Sequence, residues 1–190
     1  MIKVIFLSAG QSKRLKSENK LVKRYKNIPL INHSLKVLHK TKVNKVIIVL
    51  GYQRKEVKKI ILKNKKNIFI YNKDYKQGIA SSIKVGLKKV ARNDKGFIVV
   101  QSDMPFIKKS DINKIYNSIK LKKFLVYVLK FKNKIGNPIG FDISLTKKFK
   151  KIKGEYGAKF MVKRLKNKTN FIKVNSSKVF KDFDLKKDFN

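Results

Sequence analysis

Four apolar runs constrain this chain more than anything else in it: IKVIFL at residues 2–7, VIIVLG at 46–51, NIFIY at 67–71 and GFIVVQSD at 96–103. Runs of this kind, apolar at nearly every position rather than at every second one, belong to strands buried on both faces, as in a parallel sheet. Between the runs the apolar residues switch to helical spacing. Leu30, Ile31, Leu35, Val37 and Leu38 form one stripe, Val57, Ile60 and Ile61 a second, and Ile79, Ile83, Leu87 and Val90 a third. A helix over 110–120 with Ser110 as its N-cap leads to a further strand, FLVYVLKF at 124–131. The last third is less regular: IGNPIGFD (135–142) reads as a strand entered through a Gly-Asn-Pro turn, GAKFMVKRLK (157–166) as a helix and FIKV (171–174) as a short strand. Alternating strands and helices with short connections predict an α/β sandwich around a mostly parallel sheet. With 190 residues, 42% of them hydrophobic, the chain can bury one sizeable core, so a single domain over 1–190 is expected.

The chain has no cysteine, which removes disulfides and thiolate metal sites. No signal-peptide pattern follows the short apolar N-terminus, and no run approaches the roughly 18 apolar residues of a membrane span. A cytoplasmic protein with no membrane partner is expected. The formal charge of +39 would ordinarily point to a polyanion. Here, however, lysines are spread over every segment, Arg is scarce beside Lys, and Asn and Ile are abundant too, the profile that AT-rich coding produces. Bidentate base contacts rely on Arg, so a dedicated nucleic-acid surface is not what this composition builds.

Ligands of open α/β sheets bind outside the carboxyl ends of the strands. Two features fall there. After the first strand comes SAGQSKRLKSENK, where the small residues Ser8, Ala9 and Gly10 would let backbone N–H groups approach an anion and Lys13, Arg14, Lys16 and Lys20 would neutralise it. The loop has neither P-loop nor dinucleotide spacing, and a solvated charged loop is its alternative reading. After the fourth run stands Asp103, one of only 11 acidic residues, followed by Pro105. A carboxylate opposite a cationic phosphate loop suits Mg²⁺, which takes one or two carboxylates and leaves its other positions to water and phosphates; an N-cap is the plainer role. A third element, Gly78 with Ser81 and Ser82 at a helix start, offers free N–H groups and hydroxyls for a nucleotide, or simple capping.

Taken in order, these segments resemble the nucleotidyltransferases of the molybdenum cofactor guanylyl- and cytidylyltransferase family. FLSAGQSKRLKSENKL is similar to its L-A-A-G-x-S-x-R-M-G-x-x-K opening, QGIASSIKVGL to Q-G-x-S-S-S-L-x-x-G-L, and QSDMPFI to G-D-M-P-F. GNPIGF, GEYGAKFMV and DFDLKKDF follow as counterparts of G-x-P-x-x-F, G-D-x-G-A-R and D-I-D-T-P-E-D. The resemblance covers nearly the whole chain and implies a three-layer α/β/α, Rossmann-like fold of the nucleotide-diphospho-sugar transferase type. It also implies a Mg-dependent transfer of CMP from CTP to the phosphate of molybdopterin, with pyrophosphate released. Ala9 favours CTP, since the guanylyl branch has Gly at that place. The implied recipient of the product is a molybdenum enzyme or its chaperone.

Carried over by position, Leu7, Ser8, Ala9 and Gly10 would hold the triphosphate, and Arg14 and Lys20 would offset its charge. Asp103 and Asp184 would hold Mg²⁺. Asp182 is the alternative second ligand, on the expectation that only one carboxylate of Asp-Phe-Asp points inward. Gly78, Ser81 and Ser82 would contact the nucleotide, and Asn137 and Pro138 would line the acceptor pocket. A phosphate monoester is mostly dianionic at neutral pH, so the nucleophile needs no strong general base. Two other readings stay open: a nucleotidyltransferase using GTP or a sugar-phosphate or phospho-alcohol acceptor, and a basic nucleic-acid-binding protein. His33 and His39, six residues apart on one helix, do not share a face and read as packing residues.

Overall fold

A computed structural model of the chain describes residues 1–15 and 18–189, without the Lys13 side chain. Lys16, counted above among the loop cations, lies outside the described residues.

The apolar runs become the strands β1 (Ile2–Ser8), β4 (Lys45–Leu50), β5 (Asn67–Tyr71) and β6 (Gly96–Gln101). Between β1 and β4 lie a two-stranded hairpin, β2 (Arg24–Tyr25) with β3 (Ile28–Pro29), and helix α1 (Leu30–His39). Helix α2 (Arg54–Ile60) links β4 to β5, and α3 (Ile79–Leu87) links β5 to β6. The chain continues through α4 (Lys109–Leu121), β7 (Val126–Phe131), β8 (Lys134–Asp142), the short α5 (Thr146–Phe149), α6 (Ala158–Arg164) and β9 (Thr169–Lys173). The seven-stranded sheet runs β5-β4-β1-β6-β8-β7-β9, with every pairing parallel except those of β8.

Period-two alternation divides the core between the two faces of this sheet. From β1, Val4 and Phe6 pack with Leu35 and Leu38 of α1 and Ile112, Ile115 and Ile119 of α4. Ile5 and Leu7 face the other way, onto Ile83 and Leu87 of α3, Phe149 of α5 and Met161 of α6. The result is a three-layer α/β/α sandwich. Successive connections move outward from β1 to β4 and β5, and the chain then returns to the other side of β1 as β6. That reversal opens a crevice at the carboxyl ends of β1 and β6.

Three local expectations change. Ser110 is not the N-cap of α4, because Lys108 is extended and the helix already begins at Lys109, with Asp111 in its first turn, where the positive helix end favours it. Val90 lies past the end of α3, although it still packs on the core. Gly136-Asn137-Pro138 is not a turn. It sits inside β8, where the register against β7 goes from Ile139 opposite Val128 to Gly136 opposite Leu129. The two extra residues make a bulge, which accommodates a proline that cannot donate to the ladder. His33 and His39 do pack, the first on the Tyr25 carbonyl and the second on Asn67.

Asp94, buried in the turn before β6, accepts from the Ala91 N–H (2.7 Å) and pairs with Lys3 of β1 (2.8 Å). Burial alone would raise its carboxyl, but the Lys3 and Ala91 hydrogen bonds and the Lys3 charge outweigh it and hold the group below the ordinary carboxylate range. A depressed folded-state value means that the stabilisation is complete above the unfolded value of about 3.9 and is lost as pH falls through the folded one. Urea midpoints measured from pH 7 downward should therefore show Asp94→Asn less stable than the native chain at neutral pH, with the gap closing below about pH 4. A gap that does not change with pH would show that the carboxylate charge contributes nothing.

Candidate active site

The crevice is walled first by the ends of β1 and β6. Both the hydroxyl and the N–H of Ser102 donate to the Leu7 carbonyl (2.7 and 3.2 Å), tying the two strand ends together. Alternation then directs Leu7 and Ala9 into a cavity of about 450 Å³ and turns Ser8 away, so Ser8, expected on the triphosphate, is instead a buried residue outside the cavity lining. Gly10 is exposed, and a Cβ added there would meet nothing within 4 Å, which leaves the backbone open to a ligand. Behind it, the Tyr52 N–H donates to the Ala9 carbonyl (3.2 Å), and a Cβ on Gly51 would fall 2.6 Å from that of Ala9.

The following loop folds back on itself. The Ser12 hydroxyl accepts from the Lys20 N–H (3.1 Å), and Leu15 is buried, which fixes where Arg14 and Lys20 emerge. The Lys20 ammonium does not stand free for a phosphate. It lies 2.5 Å from Asp103 Oδ2 and 2.6 Å from Asp184 Oδ1, and Arg14 pairs with the other oxygen of Asp184. Burial lowers the Lys20 ammonium, but the charges and hydrogen bonds of the two carboxylates more than offset this and hold it above the ordinary lysine value. Burial pushes the Asp103 carboxyl up; Lys20 opposes that rise and nearby Asp182 adds to it.

Asp184 arrives from the far end of the chain because Phe183 anchors it. That ring is buried against Tyr25 (4.9 Å between centroids), Phe106 (5.7 Å) and Phe189 (5.3 Å), and the Phe183 N–H donates to the Asp103 carbonyl (3.0 Å). In an extended segment alternate residues share a face. With Phe183 pointing into the core, Asp182 and Asp184 therefore both line the cavity, contrary to the expectation that only one would.

Of the residues singled out in the sequence, Leu7, Ala9, Gly10, Arg14, Lys20, Gly78, Ser82, Asp103 and Asp184 meet in this one cavity. Ser81 does not: its hydroxyl donates to the Gly78 carbonyl (2.8 Å) and accepts from Asn72, so it ties the end of β5 to the start of α3. Asn137 and Pro138 are buried outside the lining, since the bulge carries them into the sheet; Asn137 reaches the cavity only through the side chain of Gln101 (2.8 Å). Sequence reasoning missed Tyr75, Ile79 and Glu155, which line the same cavity. Ile79 was hidden in a helical apolar stripe, and Tyr75 looks like a rim residue. Glu155 gave no signal beyond being a carboxylate in a chain with few.

Asp103 Oδ1 is buried and has no hydrogen-bond partner. An acceptor left in that state calls for a cation or a donor from a ligand. Among the described residues no three His, Cys, Asp or Glu side chains lie close enough to hold a metal by themselves. A divalent ion here would therefore take one or two carboxylates and complete its shell with water and phosphate oxygens. Also among the described residues, no helix is long and apolar enough to cross a membrane.

A family model described as MobA-like NTP transferase domain matches residues 4–169. Among curated proteins, the bifunctional protein GlmU of Campylobacter fetus subsp. fetus is 32% identical over 117 residues, 60% of this chain and 26% of that protein. The GlmU of Buchnera aphidicola subsp. Acyrthosiphon pisum is 30% identical over 150 residues, 78% of this chain and 31% of that protein. The chain thus spans between about a quarter and a third of the length of these relatives. Rv0371c from Mycobacterium tuberculosis H37Rv has the same fold, with a TM-score of 0.87 at 20% identity over 99% of this chain and 95% of that one. Its complex with manganese gives 0.82 at 18% identity, again over 99% and 95%.

The bridge makes a stability prediction. Lys20→Met would leave Asp103 and Asp184 facing each other without their shared cation. Breaking a fully buried pair costs about 3–5 kcal/mol, and because the Asp184 side chain is 32% exposed the loss should be nearer about 2–3 kcal/mol in urea unfolding at pH 7. A loss below about 0.5 kcal/mol would show that solvent already screens the pair.

Proposed function

Because the chain belongs to the MobA-like NTP transferase domain family, we propose that residues 1–190 form one nucleotidyltransferase unit that transfers CMP from CTP to the phosphate of a molybdopterin-type acceptor and releases pyrophosphate. The observation that carries the reaction class is the meeting of Arg14, Lys20, Asp103, Asp182 and Asp184 beside the open Ala9-Gly10 backbone in one cavity. That set neutralises and positions phosphates; it contains no nucleophile–base pair, and a phosphate nucleophile requires none.

In this reading the backbone at Ala9 and Gly10 holds the triphosphate, with Arg14 against its β- and γ-phosphates and Lys20 turning toward them the one ammonium hydrogen that Asp103 and Asp184 leave over. The acceptor phosphate is held in line with the α-phosphate, so that positioning and charge neutralisation do most of the work. Asp103 would hold a divalent cation such as Mg²⁺, through the oxygen that has no protein partner, together with Asp184 or Asp182. When bound, that ion supplies Lewis acidity at the phosphate oxygens. Manganese in the complex of the similarly folded Rv0371c supports a divalent ion, and Mg²⁺ is the choice proposed for this chain. Ala9, at the place the guanylyl branch fills with Gly, supports CTP over GTP.

A second reading follows from the GlmU matches, which favour a sugar phosphate as acceptor. Pyrophosphate release with Mg²⁺, run with CTP, GTP, ATP and UTP against molybdopterin and against sugar 1-phosphates, separates the two. Release with CTP and molybdopterin alone is the expected result; release only with a sugar phosphate would move the acceptor to that class. Asp103→Ala should fold and still lose at least about a hundredfold in kcat. Turnover near the native level would overturn the role given to this carboxylate.

A further inference from the structure

Two groups of side chains line the cavity. Arg14, Lys20, Asp103 and Asp184 are joined by ion pairs, whereas Glu155 stands beside Gly78 at the start of α3, in a lining that includes Leu7, Ala9, Tyr75, Ile79 and the cation of Lys76. Among the described residues Glu155 makes no hydrogen bond and no ion pair, so both of its oxygens are available to a ligand. Its position is fixed by backbone. Gly78 has φ +92°, the left-handed region, and a Cβ there would lie 2.6 Å from the Gly154 carbonyl and 3.0 Å from Glu155 Oε1. The Gly154 carbonyl in turn accepts from the Ala80 N–H (3.0 Å), in the first turn of α3. The segment carrying Glu155 is thereby clamped over the start of that helix, and its carboxylate joins the cavity lining beside Gly78.

With the triphosphate on the Gly10 backbone and Arg14, as the reading above has it, the base falls among Ala9, Ile79 and Tyr75, beside Glu155. An ionised carboxylate only accepts hydrogen bonds. Cytosine offers an amino group as donor where uracil has a carbonyl oxygen. We propose that Glu155 is a specificity-determining residue for the nucleoside triphosphate, selecting a base with an exocyclic amino group and rejecting uracil. The selection works from both sides: it gains a charge-assisted hydrogen bond with one base and places two acceptors face to face with the other. This rests on the nucleotidyltransferase reading above and narrows its substrate.

The test is equilibrium binding of CTP, GTP, ATP and UTP to the full chain with Mg²⁺ and no acceptor, for the native protein and for Glu155→Gln and Glu155→Lys. Because Glu155 is exposed, neither substitution removes a core contact. In the native chain the tightest amino-bearing nucleotide should bind about tenfold more tightly than UTP, the discrimination that one good hydrogen-bonded contact to a base supplies. Glu155→Gln, which can donate as well as accept, should narrow that ratio to about threefold or less. Glu155→Lys, which only donates, should turn it in favour of UTP. Nucleotides that bind with the same ratio in all three proteins would overturn the role of Glu155 and leave the enzyme class standing. Binding of none of the four to the native chain would overturn both.

Discussion

The ammonium of Lys20 sits between carboxylates from two distant segments of the chain, Asp103 at the end of β6 and Asp184 close to the last described residue. The carboxyl edge of the sheet is organised around that contact. The loop after β1 can fold back only because Lys20 is held there by its main chain on Ser12 and by its side chain on the two aspartates. The terminal segment closes the cavity because Phe183 is buried among Tyr25, Phe106 and Phe189 while its neighbours reach back to the same cation. Aromatic packing thus supplies the adhesion, and one buried charge sets the register of three segments.

The acidic residues are distributed against the composition. The chain carries 50 basic and 11 acidic side chains, yet Asp103, Glu155, Asp182 and Asp184 line one cavity. A diffuse excess of lysine raises the local concentration of any anion near the surface without choosing where it docks. Localised carboxylates do choose, because each must be offset by a cation or supplied with donors once it is partly removed from water. A strong net charge therefore says little about this protein, whereas the placement of a few opposing charges says a good deal.

The strands were legible in the sequence because burial on both faces of a parallel sheet leaves an uninterrupted apolar run; β5 coincides with its run, and the limits of β1, β4 and β6 depart from theirs by one or two residues. The cavity's cationic loop and Asp103 were legible for a related reason: they directly follow such runs, at the edge of an open sheet where ligands collect. What could not be read was side-chain direction in irregular backbone. Leu7 and Ser8 differ only by parity along a strand, which decides that one lines the cavity and the other is buried behind it. The Gly-Asn-Pro segment reads equally well as a turn or a bulge until its partner strand is known. Glu155 depends on a contact between Gly154 and Gly78, residues far apart in the chain, and nothing local announces it.

The two groups of side chains also bear on how a nucleoside triphosphate would lie under the proposed function. Reversed, it would set its base against Arg14 and the Lys20 bridge and its phosphates beside the unpaired carboxylate of Glu155. In the proposed direction the phosphates would meet Arg14 and a cation held by Asp103, and the group to be attacked would lie near the ends of β1 and β6, which the Ser102 hydroxyl ties together. The reacting atom would then sit over two joined strands, where positional error would cost most.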